Sequence, residues 1–245
     1  GADRRLVQAS LATLIDGALA PARVVDYGSS FSTYGVWYQP YAINQLSGPV
    51  IDIPKLLEAQ HTVVNAEQAA DYLARLAALP GVIDGILAKL QHDVALGAIP
   101  PDFVIDSTQG VVDAFAQDPA AENVLVTSFR TKLEKAGVAD ADALVAQAQA
   151  LVGDGVLPAY RRISAYLGEI RPQAPHDAGI WRLPEGDALY RAMIRQMTDG
   201  DLEPEAVHQI GLDEVARIGA QMDALLGAQG YEEGSIGERM QALGA

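Results

Sequence analysis

The stretch from Gly179 to Ala245, GIWRLPEGDALYRAMIRQMTDGDLEPEAVHQIGLDEVARIGAQMDALLGAQGYEEGSIGERMQALGA, decides the fold. Pro204 suits the first turn of a helix, and Gly211, Val215, Ile218, Met222 and Leu225 then recur at alternating spacings of four and three. That spacing predicts one long amphipathic helix that stops near Gly227. Asp213 and Arg217 stand four apart in the favourable order for a surface ion pair, worth roughly 0.2 to 0.5 kcal/mol. Ser235 and Glu238 read as a capping box that opens another helix at Ile236. Only about two turns of it follow, too few for a helix to stand alone, so the sequence is expected to break off inside a structure.

The same periodicity runs upstream. Ala2 to Leu19 carries an apolar stripe of Leu6, Leu11, Leu14, Ile15 and Ala18, and Pro21 ends it. Asn65, with Gln68 three residues on, caps a helix that turns Tyr72, Leu73, Leu76 and Leu79 inward. Pro80 is expected to open a further helix burying Val82, Ile83, Ile86, Leu87 and Leu90, and Pro100 and Pro101 another with Phe103, Val104, Val111, Val112 and Phe115 inside. Helices follow over 121–136, after the cap at Asp140, and around Pro158. The nearest approach to a strand is Gly48 to Ile53, short and broken by a proline. The fold class is therefore all-α, a multi-helix array, with 1–245 read as a single helical body that is part of a larger protein.

One region breaks the pattern. Tyr27, Phe31, Tyr34, Trp37, Tyr38 and Tyr41 crowd residues 21–50 together with Gly28, Gly35, Pro40, Gly48 and Pro49. A segment so rich in rings either packs across helix ends or lines a cleft.

Composition narrows the function classes. The chain has 245 residues, 49% of them hydrophobic, enough for a buried core. Its mean hydropathy is +0.09. No apolar run approaches the roughly 20 residues of a membrane span. The opening GADRRL carries no secretory leader pattern. Seventeen basic against thirty-two acidic residues give a formal charge of −15, which repels phosphate backbones and argues against nucleic acid. Cysteine is absent, which excludes disulfides, a thiol nucleophile and thiolate metal ligands.

The four histidines, His61, His92, His176 and His208, never fall one helical turn apart, so the chain has no His-Glu-x-x-His zinc motif. Nor is there a Gly-x-Ser-x-Gly elbow, a phosphate loop or a dinucleotide fingerprint. His208 sits on the extension of the apolar seam, where a lone histidine is more often a hydrogen-bonded core residue than a ligand. Tyr190 carries the parallel choice between a buried phenol and a catalytic donor. Glu185 and Asp187 read as first-turn acids, and His61, His92 and His176 as surface or loop residues. No catalytic residue and no metal ligand is assigned within the chain.

Several collinear blocks nevertheless resemble one family. They are YAINQLSGPVIDIPKLLEAQHTVVNAEQAADYLAR (41–75), GAIPPDFVID (97–106), VLPAYRRISAYL (156–167), GIWRLPEGDALY (179–190) and LEPEAVHQIGLDEVARIGAQM (202–222). Over about residues 36–245 they look like the bacterial domain-of-unknown-function 885 family. That resemblance implies a helical fold similar to Taq-type zinc carboxypeptidases, with a deep cleft, a zinc-bound water and a peptide substrate. In the family the zinc motif lies downstream of the stretch matching Ala245. The resemblance thus makes this chain the scaffold and cleft-wall portion of a zinc-dependent hydrolase, inactive alone, whose partner is the missing C-terminal portion of the same protein. Tyr190 and His208 match the family pattern and are carried over as cleft-lining residues. Where the family places a threonine-rich turn before the long helix, this chain has Glu203 in place of a capping hydroxyl. Exported members make a periplasmic or secreted location the expectation. The alternative is a non-catalytic helical module that binds a ligand through the aromatic segment, or serves as an interaction scaffold.

Overall fold

A computed structural model describes residues 2–29, 38–198 and 200–244. Phe31, Tyr34, Gly35 and Trp37 of the aromatic segment lie outside the described residues. The described chain is all-α, as its periodicity predicts. It forms α1 (Ala2–Leu19), α2 (Pro49–Ala59), α3 (Ala66–Ala95), α4 (Asp102–Gln117), α5 (Val124–Ala136), α6 (Ala141–Leu151), α7 (Leu157–Ile170), α8 (Gly186–Thr198), α9 (Pro204–Ala228) and α10 (Ile236–Leu243). Among the described residues there is no β-strand, only an isolated antiparallel bridge between Ser29 and Gln39.

The main core lies among α2 to α7. α3 is its spine and presents Tyr72, Leu76, Leu79, Ile83 and Leu90, while α7 inserts Tyr160, Ile163 and Leu167 alongside α4. The rings of Tyr72 and Phe129 stack with centroids 4.4 Å apart and planes 3° from parallel. The Tyr72 hydroxyl donates to the Leu125 carbonyl at 2.8 Å, and that of Tyr160 to Val50 at 2.7 Å. Each buried phenol thus keeps a partner while its ring fills the core.

Local details refine the sequence reading. α3 runs straight through Pro80 instead of restarting there, so Val82 faces solvent. An interior proline costs a helix about 3 kcal/mol. Here the ring sits against Gly155, in a π-helical turn over Val152–Val156, and the buried leucines on either side offset that cost. α2 begins at Pro49, so Gly48 to Ile53, the nearest approach to a strand, forms its entry and first turn. The Asp52 carboxylate accepts the Gly48 N–H at 2.8 Å, a local bond that fixes the helix start. In α4, Phe103 and Val111 are exposed, because Ile105, Thr108 and Val112 form the inner line.

The C-terminal helices match their predicted limits but not all their contacts. Ser235 and Glu238 make the capping box in both directions. α10 is held on α9 by Arg239, which pairs with Asp223 and donates to the Tyr231 carbonyl, so packing sustains a helix too short to persist alone. Arg217 pairs with Glu214 at 2.5 Å rather than with Asp213, which accepts from Gln209 instead. α9 itself meets the body mainly through α8 and α10.

Candidate functional site

The described ends of the aromatic segment and the turn before α8 pack together in a second, smaller core of Val25, Tyr27, Tyr38, Ala98, Leu183 and Leu189. Its polar centre is Asp93, buried near the end of α3. One carboxylate oxygen accepts the Gly28 N–H at 3.0 Å and the other meets the Lys89 ammonium at 2.5 Å. Burial raises the Asp93 pKa, opposed by the Lys89 and Gly28 hydrogen bonds. Lys89 also donates to the Asp26 carbonyl, and His92 pairs with the Asp26 carboxylate at 3.0 Å. These bonds pin the turn at residues 26–28 to α3. Glycine is required at position 28: its φ is +78°, and an added Cβ would lie 2.4 Å from the Gln39 carbonyl oxygen and the Tyr38 hydroxyl.

From that clasp the tyrosines reach across to the other strap. The Tyr38 hydroxyl donates to the Tyr27 carbonyl, and the Tyr27 hydroxyl donates to Pro184 at 2.6 Å. Burial, with the nearby charges of Tyr41, Glu185 and Asp93, pushes the Tyr27 phenol up to about 12. Arg182 donates to the Tyr41 hydroxyl and to the Ile99 carbonyl, both at 2.7 Å, and its guanidinium lies 5.8 Å over the Tyr41 ring. The packing reading of the aromatics therefore holds for Tyr27, Tyr38 and Tyr41.

What this packing supports is a constrained turn at Leu183 to Gly186. Glu185 adopts φ +55°, in the left-handed region. An added Cβ at Gly186 would lie 2.2 Å from the Ile180 carbonyl oxygen, so the chain can close there only on glycine. A non-glycine residue in that conformation stores roughly 1 to 2 kcal/mol. Glu185 is exposed there, and so are Trp181 and Tyr190 on either side of it in sequence.

A groove of about 580 Å³ opens next to this region, between α1, α8 and the turn into α9. Arg23, Arg191 and Arg195 line it, each paired with an acid of the same groove: Asp16 at 2.8 Å, Glu203, and Asp201 at 3.2 Å. In a chain carrying −15 overall, this groove is locally balanced. Arg191 and Arg195 stand four apart on one face of α8, a signal that carries no role in the sequence reading.

Tyr190 and His208 stand on neighbouring helices, α8 and α9. Tyr190 is 43% exposed on α8, and His208 is exposed on α9 rather than buried in a seam, because that side of α9 has no neighbour among the described residues. Neither lines the groove, and no hydrogen bond joins them. His61, by contrast, is not a surface residue. It is 8% exposed, edge-on to the Tyr72 ring at 5.0 Å, with Nε2 on the Gln68 carbonyl and Nδ1 facing the Arg75 guanidinium. Burial lowers its pKa, and Arg75 and Lys132 lower it further.

The zinc that the family resemblance implies finds no fit in this chain: among the described residues no three His, Asp or Glu side chains gather in a metal-binding group. No described helix is long and apolar enough to cross a membrane.

The profile of a bacterial family described as "Bacterial protein of unknown function (DUF885)" matches residues 2–245. The match therefore begins at α1, upstream of the region near residue 36 where the sequence blocks start. Among solved structures, the chain is similar to "the putative lipoprotein from Colwellia psychrerythraea" at 33% identity and a TM-score of 0.83. That alignment covers 89% of this chain and 38% of the other, so the chain spans well under half the length of this relative. No curated protein matches the chain.

Proposed function

The chain belongs to DUF885, a family of bacterial proteins of unknown function, and on that premise we propose that it is the scaffold and one cleft wall of a zinc-dependent, metallopeptidase-like hydrolase acting on peptides. In this reading the metal ligands lie in another part of a longer protein, and the 245 residues alone are inactive. The observation that carries the cleft-wall role is the strained turn at Glu185. Backbone strain clusters at functional sites, and this turn is held by two buried tyrosines while exposing Glu185, Trp181 and Tyr190. Tyr190 and His208 are the cleft-lining residues of the proposal. The hydrolase chemistry itself comes from the resemblance to helical zinc carboxypeptidases. The description of the longer relative as a lipoprotein favours a periplasmic or secreted place for this protein too.

The test is metal analysis with peptidase assays, run on the 245-residue chain and on the longer gene product. Zinc at one equivalent with activity in the longer product alone is the expected result. Stoichiometric zinc in the 245-residue chain refutes the division of labour.

The second reading, a non-catalytic ligand-binding module, is favoured by the arginine-lined groove, whose volume falls in the range of small-molecule sites. A longer product with neither zinc nor peptidase activity, in which Arg191→Ala abolishes binding of a carboxylate ligand, would select it.

A further inference from the structure

Among the described residues, two helices lack a neighbour on their apolar sides. On α9, Val215 is 73% exposed, Leu225 68%, and Ile210 and Ile218 about half, although their spacing is that of a buried face. α1 repeats this with Leu6, Leu11, Leu14 and Ile15, all more than half exposed. Single exposed apolar residues need no explanation, but a periodic row along a helix of 25 residues does. From Ile210 to Leu225 such a row is about 22 Å long.

We infer that the apolar faces of α1 and α9 are docking surfaces for amphipathic helices of the same longer polypeptide, apolar inward and carrying lysine or arginine on the flank that meets α9. The inference rests on the proposed reading of the chain as part of a larger protein. It concerns how that protein is assembled, not what it catalyses.

Two observations select this occupant. The similar solved structure keeps this fold at a TM-score of 0.83 while 38% of its own chain is matched, so most of a relative's polypeptide is available to cover these faces. Charge points to a basic flank, because α9 carries Glu205, Asp213, Glu214 and Asp223 against Arg217 alone. The same imbalance opposes a lipid surface, since helices that lie on anionic membranes are rich in lysine and arginine on their polar face. A second copy seated α9 on α9 would bring two acidic helices together, which like-charge repulsion disfavours.

The experiment compares Val215→Asp with Ile218→Asp, combined, in the 245-residue chain and in the longer gene product. Both side chains face solvent in the shorter protein, so its melting midpoint should stay within a degree or two. The longer product should lose about 4 °C or more. Glu214→Lys should lower the longer product's midpoint by more than that of the shorter chain, which loses only the exposed pair with Arg217. If the longer variant fails to fold at all, amide exchange on the unmodified proteins decides: residues 207–225 should exchange at least tenfold more slowly in the longer product. Equal midpoints and equal exchange in the two lengths overturn the inference. So does a 245-residue chain that sediments as a dimer and becomes monomeric on Ile218→Asp, or that binds phosphatidylglycerol vesicles through these residues. A longer product that protects α9 yet lacks zinc and peptidase activity sinks the hydrolase reading and leaves this one standing.

Discussion

The Tyr27 hydroxyl donates to the Pro184 carbonyl at 2.6 Å across 157 residues of sequence, tying the aromatic segment to the turn that holds Glu185. Tyr27 is buried, so its loss of a partner would leave the Pro184 carbonyl seeking water at the edge of a small core. Tyr27→Phe keeps the ring and removes only the bond. The expected loss is about 1 kcal/mol, the net worth of a typical buried hydrogen bond. Urea unfolding of the two proteins reads it directly, and an unchanged midpoint would show that the bond is not formed in solution.

Glu185 is where the same turn stores strain. Glutamate at φ +55° gives up roughly 1 kcal/mol relative to glycine, which occupies that region freely. Glu185→Gly should therefore leave stability unchanged or raise it by up to about 1 kcal/mol, since glycine's larger unfolded-state entropy takes back part of the gain. If the turn is strained because its carboxylate serves the cleft, the longer gene product should lose activity at the same time. Destabilisation on Glu185→Gly would mean that the side chain, not the backbone, holds the turn.

His61 supplies a pH dependence with a definite sign. Its Nδ1 faces Arg75, and Lys132 and Arg75 add positive charge around it, with Asp71 the opposing acid. Burial and these cations lower its pKa below the ordinary 6.5, so the folded protein prefers the neutral ring. Between the lowered value and 6.5 the unfolded chain binds more protons, and stability rises with pH. The contribution is complete above about 6.5 and is lost as pH falls through the folded value. Melting curves between pH 7.5 and pH 5 should show this slope, and His61→Gln should flatten it. An identical slope in the variant would assign the dependence to other groups.

How much of this was legible depends on the range of the interaction. Helix limits set by local bonds came out correctly: the Asn65 cap, the Ser235 and Glu238 box, and the 3.6-residue period from Pro204 to Ala228. Pro80 misled because a local rule says helices end there, while the Gly155 backbone that accepts its ring is seventy-five residues away. His61 does lie in a loop, but its burial has no local signal, since it comes from Tyr72 and Arg75 on α3. His208 failed in the opposite direction. Its seam position is real, but no neighbour among the described residues lies over that side of α9. Asp93 gave no signal at all, being one acid among thirty-two until Gly28 and Lys89 close on it.

The start of α9 permits a prediction in which two small effects compete. Glu203 occupies the N-cap without making a side-chain cap bond, and pairs instead with Arg191. Serine at an N-cap is worth about 1 kcal/mol over a residue that makes no such bond. The ion pair is half exposed on both sides, and exposed pairs contribute between about 0 and 1 kcal/mol. Glu203→Ser exchanges the second for the first, so the first turn of α9 should become firmer by a few tenths of a kcal/mol. Amide exchange at Glu205, Ala206 and Val207 should slow accordingly, and raising salt should matter less to the variant than to the parent, because the pair that salt screens is gone. Faster exchange at those amides would mean that Arg191, held by Glu203, fixes the entry of α9 onto α8 more firmly than a cap can.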